Sequence, residues 1–248
     1  MHAEANLGAH RHLPLDGTYN VRDLGGYRTN DGRETRWRRF FRADSLHRLT
    51  VAAQNTLLDH GLRSVIDLRR SDEVAAAPNV FTGSDRVTYH HLSLLADIRP
   101  TPGTPKPLVE TYRLILDERQ EQVGAALRFL ATPDRVPAVI HCTAGKDRTG
   151  LIVALVLGLA GVPEGTILED YALTAQYLRG PFLDEIRQRA LSRGYSWSQY
   201  EPLVQCPPAF MHTTLHYVRK RYGGIEPYVR SIGLQADEIE ALRHALVA

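Results

Sequence analysis

Apolar positions change rhythm along this chain. Up to Ala160 they come as short runs between turns and helical stretches; beyond Ile167 they recur at helical spacing almost without pause. Thr50–His60 has the spacing of a helix, with Val51, Leu57 and Leu58 apolar and Gly61 as its stop. Leu62–Leu68 reads as a buried strand ending at Arg69 and Arg70, and Val87–Leu95 as a second strand of imperfect alternation. Helical pattern runs from Leu108 and again over Gln120–Ala131. Pro137–His141 is a third strand, and Thr149–Ala160 a helix that is apolar on nearly every face. A helix of that kind belongs in the middle of a fold. Strands alternating with helices predict an α/β architecture, a mostly parallel sheet flanked by helices.

The second half is expected to be helical, broken near Gly180-Pro181, Gly194 and Pro207-Pro208. Helices are expected over Ala209–Tyr222, Pro227–Ile232 and Ala236–Val247, with Gly223-Gly224 and Gly233 as stops. Such a half is either a cap over a site, with 167–206 as the candidate lid, or plain domain padding. Residues 1–12 look like a loose leader, and Asn20–Tyr27 is a turn-rich stretch with paired glycines. Four prolines between Asp97 and Pro107 exclude a helix or inner strand there. Because helical pattern resumes at once, that segment reads as a functional loop within one domain spanning 1–248.

Composition narrows the class. The 248 residues are 43% hydrophobic and 23% charged, ordinary for a globular chain. A formal charge of +2 excludes a general nucleic-acid binder. The start has no apolar core of a signal peptide. The longest apolar run, Leu151–Ala160, is about half of the roughly 20 residues that a membrane helix needs, so no stable membrane insertion is expected. Two cysteines, Cys142 and Cys206, make no disulfide framework and no zinc motif. Cys206, before Pro207-Pro208, reads as structural. His90-His91 is weak as a metal site, since neighbours on a strand face opposite ways; neither metal nor cofactor is expected.

The chemistry converges on His141-Cys142-Thr143-Ala144-Gly145-Lys146-Asp147-Arg148-Thr149-Gly150. A strand delivers Cys142, a tight loop follows, and a buried helix begins. Loop amides from Thr143 to Arg148 lack strand or helix partners and can cradle an anion, helped by the helix N-terminus. Gly145 permits close backbone approach, and Arg148 can grip two oxygens with its planar fork. A thiol at a helix N-terminus beside cations commonly titrates at about 3.5–7.5, which would make Cys142 a pre-ionised nucleophile. Thr149 can donate its hydroxyl to that sulfur, and His141 can buttress the loop. Gly145-Lys146 is not a nucleotide P-loop, because the first Gly and a Ser or Thr after Lys are missing.

The run Cys142 to Arg148 followed by Thr149-Gly150 resembles the signature of the cysteine-based protein tyrosine and dual-specificity phosphatases. Its wording is similar to the atypical bacterial branch that includes secreted mycobacterial members. Asn20-Val21-Arg22-Asp23, Phe41–Leu46, Asp67–Ser71 and Tyr222-Gly223-Gly224 also resemble family segments in the family's order. The resemblance implies a phosphatase fold, no metal, a phosphocysteine intermediate, and second-half helices acting as a lid. It implies phosphotyrosine proteins or peptides as substrates, and phosphoserine, phosphothreonine or phosphoinositides beside them, with Lys146 as a second cation. Asp97–Pro107 is shorter than in the mycobacterial members. Localisation is expected to be cytoplasmic, or secreted without a recognisable signal peptide.

Two aspartates compete as general acid. Asp147 lies beside the bound phosphate, whose charge favours a protonated carboxyl. Asp97 opens the Pro-rich loop, which resembles the movable acid loop of ordinary tyrosine phosphatases. Asp67, Arg69 and Arg70 either frame a pocket rim or form a structural ion pair; Asp23 and Asp44 read as fold-holding. The contrasting function is a catalytically inactive phosphate-recognition module. Such a module needs Arg148 and the amides but not Cys142, Thr149 or an acid.

Overall fold

A computed structural model describes residues 11–95 and 108–247. Five strands form one sheet: β1 (Arg22–Asp23), β2 (Phe40–Ala43), β3 (Ser64–Asp67), β4 (Thr88–His91) and β5 (Ala138–His141). Their order is β1-β2-β5-β3-β4, with β1 antiparallel to β2 and all other pairs parallel. Eleven helices accompany them among the described residues: α1 (Val51–Asp59), α2 (Ser71–Ala76), α3 (Leu108–Glu118), α4 (Gln120–Ala131), α5 (Asp147–Leu159), α6 (Glu164–Tyr177), α7 (Pro181–Ser192), α8 (Trp197–Val204), α9 (Pro208–Tyr222), α10 (Ile225–Ser231) and α11 (Ala236–Leu246).

The parallel sheet explains the short apolar runs. β2, β3 and β5 are buried along their whole length, as parallel strands covered on both faces must be. Alternate residues go to opposite cores. Phe40, Ile66, Ala138 and Ile140 join the larger core beneath α3–α6 and α9–α11, while Phe41, Val65 and Val139 join a smaller one with Leu57 of α1. α5 is central to the larger core, packing on α4, α6, α10 and α11, and that position accounts for its lack of a polar face. Thr50 caps α1, its hydroxyl accepting from Ala53 N.

The expected mostly parallel sheet and helical second half are present. The strands are shorter than their apolar runs, and α5 begins at Asp147, two residues before Thr149. β1, β2 and α2 were not anticipated. β2 escaped because Arg42 sits inside it, fully buried. The leader is tied down at its end: buried Arg11 donates to the carbonyls of Gly25 and Gly26, both at 2.8 Å, and His12 bridges to Arg22. Residues 1–10, and the Pro-rich loop with Asp97, lie outside the described residues.

One buried ion cluster joins the two halves. Asp170 of α6 bonds Arg22 Nε at 3.0 Å and Arg42 Nη1, and accepts from the Tyr27 hydroxyl at 3.0 Å. Tyr27 and all three charged groups are buried. Asp170→Asn leaves two guanidinium groups without their countercharge and is expected to cost about 3–5 kcal/mol in urea unfolding near neutral pH. Burial opposes ionisation of Asp170, but Arg42 and Arg22 outweigh it and take its carboxyl down to about 2. That is below the unfolded value of about 3.9, so this stabilisation is complete above about pH 4 and is lost as pH falls toward 2. The wild-type advantage should therefore shrink across that window; an undiminished gap at its acid end would contradict the role given to Asp170.

Candidate active site

The parallel strands end level with one another. Ala43 and Asp67 are both in register with His141, so the next residue, Cys142, emerges at the carboxyl edge of the central strand. Open α/β sheets place ligands at that edge.

The loop after Cys142 is held by its carbonyls. Thr143 O accepts from Ser45 N at 3.1 Å, Ala144 O from Asn20 Nδ2 at 2.9 Å, and Gly145 O from Arg42 Nη2 at 2.7 Å. In a trans peptide the C=O and the following N–H point opposite ways. Carbonyls bonded outward therefore turn the amides of Ala144, Gly145 and Lys146 toward the concave side. The first-turn amides of α5, free of intrahelical partners, continue that cradle. Gly145 sits at φ +64°, and a Cβ there would fall 2.3 Å from Ala43 O. Only glycine fits.

His141 does buttress the loop. Asn79 Oδ1 accepts from Phe81 N, and Asn79 Nδ2 lies 2.8 Å from His141 Nε2, which is also 3.4 Å from Asp67 Oδ2. His141 Nδ1 donates to Cys142 O at 3.1 Å. Asp67 and Arg69 form a buried pair at 2.7 Å, and Arg69 also binds Ser45 Oγ and Ala77 O. Arg69 lines the cavity beside the loop as well, so both readings of it hold. Arg70 pairs with Asp72 at 2.9 Å. Asp44 accepts from Tyr19 N and Asn20 N and is pushed up to about 6 by burial; Asp23 accepts from Gly25 N and Arg38 N. Both hold the fold.

Cys142 is buried at the foot of the cradle. Arg148 returns beside it, but its fork is engaged: Nη1 bonds Glu73 Oε2 at 2.6 Å and Nη2 bonds Glu73 Oε1 at 3.3 Å and Thr143 Oγ1 at 3.1 Å. Burial works against the charge of Arg148, yet Cys142 and Glu73 outweigh it and raise its pKa. Burial likewise opposes ionisation of Glu73, and Arg148 outweighs it, taking that carboxyl down to about 2. Glu73 was missed in the sequence. Its signal was a Glu at the third position of a short helix after β3, where it also accepts from Arg70 N at 2.9 Å.

Lys146 is buried rather than displayed on a rim, with Nζ 3.4 Å from Asp147 Oδ1. Asp147, half-buried, accepts from the Tyr112 hydroxyl. The Thr149 hydroxyl is buried and has no hydrogen-bond partner among the described residues, so the expected bond to the Cys142 sulfur is not made here. Cys206 is buried, and burial pushes its thiol up to about 11, in keeping with a structural thiol. His90 stacks on Phe129, while His91 Nε2 lies 2.8 Å from Arg69 O, so the neighbours do diverge.

Beside the loop lies a cavity of about 400 Å³ lined by Thr143, Glu73, Arg48, Phe182, Ile186 and Arg189. α7 forms one wall and is tied across by Arg48–Glu185 at 2.7 Å. α6, the start of the candidate lid, belongs instead to the core through Asp170 and Tyr171.

Residues 13–248 match the tyrosine phosphatase family. The chain belongs to that family. It is 34% identical over 213 residues to a tyrosine-protein phosphatase of Nostoc commune, covering 82% of this chain and 72% of that one. The triple specificity protein phosphatase PtpB of Mycobacterium tuberculosis is 27% identical over 284 residues, covering 94% of this chain and 98% of the relative. The crystal structure of P. aeruginosa TpbA is 19% identical and covers 61% of this chain and 86% of that one, at a TM-score of 0.36.

Gly145→Ala is expected to abolish phosphatase activity and to lower the melting temperature, because neither the Ala43 carbonyl nor the loop can yield to the added methyl. Thermal denaturation and an aryl phosphate assay check both. A variant with wild-type turnover would show that the loop is not built as described.

Proposed function

We propose that this protein hydrolyses phosphotyrosine in proteins or peptides through a phosphocysteine intermediate. The observation that carries the reading is the set of three outward-held carbonyls, which leaves amides and Arg148 gathered around the one cysteine at the end of β5. The phosphate oxygens take those amides and the Arg148 fork, displacing Glu73 from part of its contact. Cys142, as thiolate, attacks phosphorus in line; the S–P bond forms as the P–O bond to the tyrosyl oxygen breaks.

Asp147 protonates that oxygen as it leaves. The resulting carboxylate then takes a proton from water, whose oxygen attacks phosphorus and releases the cysteine. The buried, unpartnered hydroxyl of Thr149 supports its role as donor to the departing sulfur, because an orphan of this kind costs about 1–3 kcal/mol unless something uses it. Asp97 stays the rival acid. α7 serves as the cover, with the cavity beneath it receiving the substrate flanks.

The same chemistry extends to phosphoserine, phosphothreonine and phosphoinositides. Support comes from the Mycobacterium tuberculosis relative, whose name is triple specificity protein phosphatase, and from Arg189 and Arg193 in the cavity lining. No cofactor enters this scheme.

Cys142→Ser should lose essentially all turnover of an aryl phosphate while still binding it, and rapid quench of the wild type should add the mass of one phosphoryl group at Cys142. A wild-type protein that binds without turnover would instead be a recognition module. Asp147→Asn and Asp97→Asn, run on aryl phosphates of graded leaving-group acidity, separate the two acids. The true donor shows a loss that fades as the leaving group becomes more acidic, starting at about 10²–10⁴-fold. A uniform loss for Asp147→Asn would exclude it.

A further inference from the structure

Asp147 is held from behind by a pair of phenols. Tyr112 of α3 is fully buried, and its hydroxyl donates to Asp147 Oδ1. The hydroxyl of Tyr171, on α6, lies 2.8 Å from that of Tyr112. Burial raises both phenols well above their ordinary range, so both stay protonated. Each has one proton to give. Tyr112 commits its proton to Asp147, so Tyr171 must donate to Tyr112, and the order of donors is set. The Tyr171 ring is seated against α5 at Gly150, where an added Cβ would come within 3.1 Å of it.

The two carboxyl oxygens of Asp147 are thereby made unequal. Oδ1 faces the Tyr112 hydroxyl and lies 3.4 Å from Lys146 Nζ, two donors that disfavour a proton on it. Among the described residues no hydrogen bond or ion pair reaches Oδ2.

We propose that Tyr112, backed by Tyr171, is a positioning residue that reserves Oδ1 of Asp147 as an acceptor and so places the transferable proton on Oδ2. This rests on Asp147 being the general acid. The Oδ2–H bond breaks as the leaving oxygen gains the proton, and the carboxylate stays bonded to Tyr112. In the second half-reaction Oδ2 takes a proton from the attacking water. Tyr112 itself neither gains nor loses a proton over the cycle.

The test is a double-mutant cycle, Tyr112→Phe against Asp147→Asn, on aryl phosphates of graded leaving-group acidity. Tyr112→Phe keeps the ring and removes only the hydroxyl. It should slow kcat about tenfold on the poorest leaving group, a fraction of the whole acid effect. That loss should shrink toward none as the leaving group becomes more acidic, with KM unchanged and no added loss in the Asp147→Asn background. An equal loss across the series and in both backgrounds would mean packing alone and would overturn the proposal.

If Asp147→Asn is leaving-group dependent and Tyr112→Phe is not, the positioning role falls while the acid stands. If Asp147→Asn is itself flat, the acid assignment fails and takes this proposal with it. Should circular dichroism show Tyr112→Phe unfolded, Tyr171→Phe carries the test. It keeps the bond to Asp147 without its support and should show the same slope change, smaller; a flat response there also overturns the proposal.

Discussion

The inward-facing amides of the loop exist because its carbonyls are engaged elsewhere. Asn20, two residues before β1, and Arg42 of β2 reach up to take the oxygens of Ala144 and Gly145, and Ser45 N takes that of Thr143. Arg42 can do this from inside a sheet only because Asp170 neutralises it there. A guanidinium taken out of water alone would cost several kcal/mol, more than one bond to a carbonyl returns. The anion cradle is thus the visible side of a buried ion cluster. One unit of positive charge remains in that cluster after Asp170 is counted against Arg22 and Arg42, and it lies directly behind the loop.

Arg148 is treated differently. It is held on the substrate side by Glu73, which also caps α2 and binds Thr143. A carboxylate presents two oxygens to a guanidinium in the geometry that a phosphoryl group would use. The fork is accordingly aligned in advance, and under the proposed mechanism a phosphoryl group exchanges one anion for another instead of ordering a free side chain. That exchange lowers the entropy cost of recognition and sets a threshold that weak, singly charged anions meet poorly.

Much of this was legible in the sequence, for identifiable reasons. Cys142, Gly145, Arg148 and Thr149 are spaced by one covalent loop, and short-range spacing survives folding unchanged. The larger-core helices announced themselves because α3 and α4 carry their apolar residues in a helical period, and α5 is an apolar run longer than a strand of this sheet. β2 did not, since a strand holding Arg42 has no apolar run. Tyr112, Asp170, Tyr171 and Glu73 were equally silent. Each looks like an ordinary polar or aromatic residue on a helix, and its partner lies between 35 and 148 positions away, a pairing visible only once the chain is folded. Asn20 and Arg42 lay within segments that resembled the family, but nothing local distinguished a loop-holding amide or guanidinium from one that holds a turn.

α6 supports the loop twice with adjacent residues, each time through another side chain. Asp170 balances the arginine behind Gly145, and Tyr171 supports the phenol behind Asp147. A shortened chain ending after α5 would keep every letter of the cysteine signature and the whole sheet. It would nevertheless strand two cations beneath the loop and leave the Tyr112 hydroxyl without the Tyr171 hydroxyl behind it. The helical half is therefore no detachable accessory, because trimming it would remove the countercharge behind Gly145 and the hydroxyl behind Tyr112 together.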